Sequence, residues 1–300
     1  MITQNKTYLG ISFAILACIT WSGNFIVARA VINEIPPVSL AFFRWSIATI
    51  ILLPFAIKSF LQERNNVSQH KAYFFWTSLF GVTIFNTFLY IAAHTTSAIN
   101  MALIGTCSSP IFAVFLAAWF LRERISVVRI AGMLVMLAGI IYLVVRGSFE
   151  RLLNFHFTTG DLWVLGAAIF FAGYNVLVRK KPSTISPIVF LFTTFFIGSA
   201  LLLPFYFWEI SQSPAIEWTT NLFLTVIYLG LGTSVIAFLL WNSAIAKLGA
   251  ARTALFGNLI PLFSSLEAVW LLNEEITFIH LISGLLIIVG LIIVNLKKAR

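Results

Sequence analysis

The chain is 300 residues long, 60% hydrophobic and only 10% charged, with a formal net charge of +9. A soluble domain carries about 25% charged residues, so a soluble globule is excluded, as is a disordered or coiled-coil chain. The basic excess does not mark a nucleic-acid partner. It sits in short clusters at 58–71, 122–129, 179–181 and 297–300, between long apolar runs, and not along one solvated stripe.

A helix needs about 20 apolar residues to cross the hydrocarbon of a bilayer, and ten runs are read as such spans. The first, 8–28, follows Lys6 and precedes Ala28-Arg29-Ala30, a pattern that a cleaved signal peptide also shows. Its length, its Asn24 and an internal copy later in the chain favour a first span. The second run, 36–57, opens on Pro36-Pro37 and carries Arg44. The third, 72–93, places Asn86 and Tyr90 on one face by their i,i+4 spacing. The fourth, 98–120, contains Gly105-Thr106-Cys107-Ser108-Ser109-Pro110, and the fifth, 127–145, carries Gly132 and Gly139. Next come 161–180, with Tyr174 beside Asn175, then 186–208, and then 221–246, with Trp241 beside Asn242. The last two are 251–272, with Gly257-Asn258 before Pro261, and 277–296, with Gly284 and Gly290.

Lysine and arginine set the orientation. With ten spans both termini share a side. If that side is cytoplasmic, fifteen basic residues fall inside and three (Arg29, Arg146 and Arg151) outside, with Arg44 left within a span. The chain is therefore expected to lie N-in and C-in.

The chain also repeats itself. Ala17, Ile19, Gly23 and Arg29 recur 150 residues later as Ala167, Ile169, Gly173 and Arg179. Pro110, Phe112, Trp119, Leu121 and Glu123 recur at an offset of 151 as Pro261, Phe263, Trp270, Leu272 and Glu274. Five spans per copy is an odd number, so the copies must cross in opposite senses. The fold expected is an all-α membrane protein of ten transmembrane helices, built as inverted five-helix repeats over 1–146 and 158–298. Such repeats are how many secondary transporters alternate access.

Polar groups within a bilayer are costly and face the protein interior or a wet cavity. Pro110 and Pro261 each interrupt a span at mid-depth after Gly and polar side chains, which points to a substrate site at the repeat interface, with a simple packing kink as the alternative. Trp21 and Asn24 lie one turn apart. With Asn86, Tyr90, Ser108, Ser109, Tyr174, Trp241 and Asn258 they form the candidate lining, offering apolar walls and a few orienting hydrogen bonds. For the aromatics, interfacial belts or core packing compete with that role; the amides weigh more, because a buried amide needs partners. Arg44 is either a counter-charge for a substrate carboxylate or a structural residue bonded to carbonyls, and its neighbours Phe42, Phe43 and Trp45 favour the latter. Glu267, about one turn from a span end, could exchange protons or be an ordinary solvated carboxylate, and His94 reads as solvated. Cys18 and Cys107 lie in apolar runs outside any pairing or ligand pattern, and the span-five and span-ten glycines read as packing surfaces. The chain has no Walker loop, H-E-x-x-H, G-x-S-x-G or metal-ligand cluster, so neither an ATP-driven pump, an enzyme nor a cofactor is expected.

At Trp21-Ser22-Gly23-Asn24-Phe25, Pro36-Pro37 with Phe42-Phe43-Arg44-Trp45, Pro110 with Leu121-Arg122-Glu123-Arg124, and Pro261 with Leu272-Asn273-Glu274-Glu275, the sequence resembles the EamA family of the drug/metabolite transporter superfamily. The resemblance covers nearly the whole chain in two tandem units. It implies a ten-helix inverted-repeat transporter, many of whose relatives export amino acids and other small metabolites. It also implies a central cavity walled by spans one, three, four, six, eight and nine, which carry all nine lining candidates and leave Arg44 of span two outside the set. Thr194 stands in the second copy where Arg44 stands in the first.

The expected activity is alternating-access export of amino acids, aromatic ones suiting Trp21, Tyr90, Tyr174 and Trp241, in the inner membrane. A metabolite uptake carrier or exchanger, for a nucleotide derivative for example, is the nearest rival. A channel or a lipid scramblase is the rival from another class. Membrane lipid and a small molecule are the partners implied, and the oligomeric state is open.

Overall fold

The computed structural model describes residues 2–31, 33–96, 98–122, 125–154, 156, 158–272 and 277–295, and among them the regular structure is helical throughout. The long helices are α1 (Ile2–Ala30), α2 (Pro37–Gln69), α3 (Lys71–Thr95), α4 (Ala98–Leu121), α5 (Val127–Val144), α6 (Thr159–Arg179), α7 (Pro187–Gln212) and α8 (Thr220–Leu248). They are followed by α9, which runs Ala250–Ala254, Leu255–Leu259 and Ile260–Leu272, and by α10 (Phe278–Asn295). A short helix, Phe149–Leu153, lies between α5 and α6.

The helix starts follow from local chemistry. Pro37 opens α2 and Pro187 opens α7, positions where the missing N–H would have been unsatisfied anyway. Ser126 Oγ accepts from Arg129 N at 3.2 Å at the start of α5, and Thr219 Oγ1 accepts from Leu222 N at 3.1 Å at the start of α8. At α6 the Asp161 carboxylate accepts from Thr158 N at 2.6 Å and from Thr96 Oγ1 at 2.6 Å.

Among the described residues, α2, α3, α5, α6, α7 and α8 are long and apolar enough to cross a membrane. The outside of the bundle is greasy, with Phe55 and Trp119 each 69% exposed, while Arg44 is only 1% exposed. Water would reject such a surface and lipid accepts it. The 33 residues of α2 span about 50 Å at 1.5 Å per residue, well past a hydrocarbon core of about 30 Å, and the overhang is the polar stretch 58–69.

The helices pair across the two halves of the chain. α1 packs on α8 and α9, and the corresponding α6 packs on α3 and α4. α2 packs on α7, and α5 on α10. The α2–α7 pair is antiparallel and closed at both ends by carboxylates. Glu209, late in α7, accepts from Val38 N at 3.0 Å, Ser39 N at 2.6 Å and Ser39 Oγ at 2.7 Å at the N-terminus of α2. Glu63, late in α2, accepts at 2.8 Å from Ser186 N, just before α7. Each carboxylate faces the positive end of its partner helix. In the α6–α7 loop beside Glu63, burial lowers the pKa of Lys181 from the usual lysine value, and the Glu63 charge opposes the shift.

Two helices depart from α geometry at matching places. α3 widens into a π segment over Leu79–Ile84, and α8 does so over Leu229–Ile236, 150 residues later at its start. Pro110, by contrast, lies within a continuous α-helix. Pro261 follows a tighter 3₁₀ stretch, Leu255–Leu259, so the two prolines are not equivalent breaks.

Candidate functional site

The π segment of α8 meets α2 at Arg44. A π turn frees backbone carbonyls from the regular i→i+4 ladder, and the Thr233 carbonyl is used from outside the helix. It accepts from Trp21 Nε1 at 2.8 Å and from Arg44 Nη2 at 3.2 Å. Arg44 Nε donates to Ser234 Oγ at 2.7 Å. Arg44 Nη1 lies 3.0 Å from Asn24 Oδ1, 2.9 Å from Asn86 Oδ1 and 2.8 Å from the Tyr90 hydroxyl. One nitrogen with two protons therefore serves three acceptors. The guanidinium carbon sits 5.0 Å from the Trp45 ring centroid, a distance at which the ring quadrupole attracts the cation.

Every acceptor on this guanidinium is neutral. Among the described residues no carboxylate pairs with it, and a buried charge held only by dipoles is an open electrostatic demand. The Asn86 Oδ1 bond fixes that amide's orientation and leaves Nδ2, also enclosed, with no acceptor.

An aromatic block adjoins this hub. Trp21 and Trp241 have ring centroids 4.9 Å apart, and Trp21 meets Phe171 edge-on at 5.8 Å. Phe171 stacks on Phe85 at 4.3 Å and on Tyr174 at 5.9 Å. The polar tips are paired. Trp241 Nε1 donates to Asn175 Oδ1 at 2.9 Å, and the Tyr174 hydroxyl and Asn242 side chain exchange contacts of 3.0 and 2.8 Å. Asn175 Nδ2 is a second enclosed donor without a partner. Gly81 in the α3 π segment lets this block close, because a Cβ there would stand 2.2 Å from Tyr174 Cδ2.

Six of the nine lining candidates (Trp21, Asn24, Asn86, Tyr90, Tyr174 and Trp241) thus fall into one connected region drawn from α1, α3, α6 and α8. The other three stand apart. Ser108 Oγ donates back to Ile104 O at 2.5 Å, the local bond that a helical serine makes without a ligand. Ser109 is half-buried. Asn258 is fully buried in the 3₁₀ stretch of α9; its Nδ2 lies 3.8 Å from Met136 Sδ, and its Oδ1 has no donor. Next to it, a Cβ on Gly257 would meet nothing within 4 Å, so this stretch borders open space.

Sequence reasoning set Arg44 outside the lining, and the structure puts it at the centre of the polar hub. Thr233, Ser234 and Phe171 were not singled out at all. The signal for the first two was the run Gly230-Leu231-Gly232-Thr233-Ser234, glycine and hydroxyl residues inside an otherwise apolar span. Glu267 of α9 forms a separate polar contact with α1, where its carboxylate meets Ser22 Oγ.

Known proteins resemble this chain over its full length. The EamA-like transporter family matches twice, over residues 8–145 and 158–296. An uncharacterized transporter of Archaeoglobus fulgidus is 25% identical over 298 residues, covering 98% of this chain and 99% of its own. WAT1-related protein At5g64700 of Arabidopsis thaliana is 28% identical, with 92% of this chain and 86% of its own covered. A solved crystal structure, 20% identical, superposes with a TM-score of 0.77 over 97% of this chain and 96% of that one, a likeness of fold.

Proposed function

The chain belongs to the EamA-like transporter family of the drug/metabolite transporters, and from that premise we propose that this multi-pass membrane transporter exports amino acids or related small metabolites by alternating access. The solute binds at the Arg44 hub, between two inverted five-helix units lying N-in and C-in in the inner membrane. The antiparallel α2–α7 and α5–α10 pairs support the inversion, since each joins corresponding helices of the two halves.

The observation that carries the substrate class is the buried Arg44 guanidinium with only neutral partners. A carboxylate entering the hub would answer its charge, and bidentate pairing with a guanidinium is the strongest such contact available. The idle donors on Asn86 and Asn175 can add hydrogen bonds to the carboxylate oxygens of such a solute. The Trp21–Phe171–Trp241 block supplies an apolar wall, against which an aromatic side chain loses little and gains contact area.

Purified protein in liposomes, loaded with single amino acids, tests this by counterflow. Saturable exchange is expected, strongest for aromatic amino acids. Conductance without saturation, or no exchange with any amino acid, would end the assignment.

A further inference from the structure

Glycines in a membrane bundle commonly mark close approaches of helices, and several here do. At Gly81, Gly132, Gly139 and Gly290 a Cβ would stand 2.9 Å or less from a neighbouring atom. Gly257 of α9 is different. A Cβ there would meet nothing within 4 Å. Positive φ, the conformation that favours glycine, occurs at Gly147 and Gly249 and not at Gly257. Neither packing nor backbone conformation demands glycine at this position. What its missing side chain leaves is space.

That space has a floor. Ala113 of α4, Ala172 of α6 and Ala254 of α9 are buried and form one cluster, which brings three helices together with only methyl groups between their backbones. Residues three apart eclipse in 3₁₀ geometry, so in the stretch Leu255–Leu259 Gly257 stands one turn beyond Ala254 on the same face. The helix directions are fixed by printed contacts on every side. α9 runs with α1, since Phe256 O accepts from Cys18 Sγ at 3.1 Å and Ser22 O accepts from Ser264 Oγ at 3.0 Å. α8 runs against α1, with Leu248 beside Gly10 and Tyr228 beside Gly23. α6 runs with α8, joined at Tyr174–Asn242 and Arg179–Ala246, and α4 runs with α6 from Gly105 beside Val164 to the alanine cluster.

One turn beyond the floor, α4 therefore presents Ser109, which is half-buried, and α6 presents Ala168. Among the described residues α4 packs chiefly on the first half of α9, so the two helices part beyond the alanines. The same direction along α1 leads from Cys18 past Trp21 to Asn24 of the Arg44 hub, six residues or about 9 Å away. The space beside Gly257 thus lies between the alanine floor and the hub. Asn258 adjoins it, fully buried, with an Oδ1 that no donor serves. An enclosed acceptor left empty is costly, and a solute bearing an N–H or O–H can fill it.

Resting on the solute assigned above, we propose that Gly257 is the specificity-determining position of this transporter. With the carboxylate at Arg44, the solute's side chain extends past Trp21 into the space beside Gly257, and the alanine floor limits its length. Aromatic side chains fill that depth, whereas a single methyl leaves it empty. The indole N–H of tryptophan or the hydroxyl of tyrosine brings the donor that Asn258 Oδ1 lacks.

Counterflow of tryptophan and of alanine, measured on each variant in liposomes, tests this. Gly257→Ala should lower the tryptophan-to-alanine ratio by about 10-fold, the low end of what one methylene changes in an apolar pocket, and Gly257→Val should lower it further. The ratio is internal to each variant, so a smaller yield of folded protein does not move it. Gly284→Ala, on α10, should leave the ratio at its wild-type value. Gly257→Ala should also keep the wild-type unfolding temperature, because its Cβ meets nothing. A ratio unchanged in both Gly257 variants would overturn the proposal, and so would a loss of stability in Gly257→Ala like that of a packing glycine. Wild-type protein that exchanges no amino acid is a separate result: it would end the assignment of the solute, and the role of Gly257 with it.

Discussion

Arg44→Met will cut saturable exchange by about 100-fold, the cost of about 2.8 kcal/mol expected when one partner of a buried charged contact is removed. Methionine keeps much of the stem that packs beside Trp45 and deletes the fork. Asn24 Oδ1, Asn86 Oδ1, Tyr90 and the Thr233 carbonyl all lose the guanidinium at once. Each stranded acceptor costs about 1–3 kcal/mol unless it finds water or another donor, so thermal stability will also fall. Arg44→Lys separates charge from geometry. A single ammonium cannot reach Ser234 on one side and Asn24 and Asn86 on the other, so exchange should stay well below wild type while stability partly recovers. Exchange that survives in Arg44→Met at normal expression would remove the hub from the transport site.

Gly132→Ala will have the larger effect on folding. Its Cβ would stand 2.7 Å from Gly290 O and 2.9 Å from Val294 N, both backbone atoms of α10. Backbone cannot swing aside as a side chain does, so α5 and α10 must separate. Overpacking of this kind costs about 1–3 kcal/mol, and in lipid the close contact is itself the main attraction between helices. Gly284→Ala is the control, since its Cβ would meet only the Leu262 Cδ1 tip at 3.2 Å, which can turn. Thermal unfolding in one detergent should show a clear drop for the first and little change for the second.

The contrast between those glycines shows what the sequence carries and what it does not. Apolar runs locate helices well, because length and hydropathy are local: the run 127–145 becomes Val127–Val144, and 221–246 becomes Thr220–Leu248. Gly132, Gly139 and Gly290 read as packing surfaces, and the structure sets them at the close approach of α5 to α10, whereas Gly284 faces Leu262 of α9. The amides Asn24 and Asn86 were legible as members of a polar cluster, because buried polar groups in an apolar span require partners. Their shared partner was not legible. Arg44 lies among Phe42, Phe43 and Trp45, and only the three-dimensional meeting of α2 with the α8 π segment turns it toward them. The π segments leave no signature beyond glycine and hydroxyl residues in an apolar run, since an extra residue per turn is a property of backbone pairing. Pro110 and Pro261 drew attention away from them: a proline is visible in the sequence, yet α4 stays helical through Pro110.

Asn33 and Ser183 occupy corresponding positions before α2 and α7, and both are exposed. Single cysteines at these two sites, in a background with Cys18 and Cys107 replaced by alanine, can be challenged with a membrane-impermeant maleimide before and after opening the cells. Oppositely threaded units require the two cysteines to react from opposite faces, and an inside amino terminus makes Asn33→Cys the one that reacts from outside intact cells and Ser183→Cys the one that reacts only once the cytoplasmic face is exposed. Reaction of both from the same face would mean that the two units run in the same sense, and the account of a carrier rocking about a shared hub would be wrong.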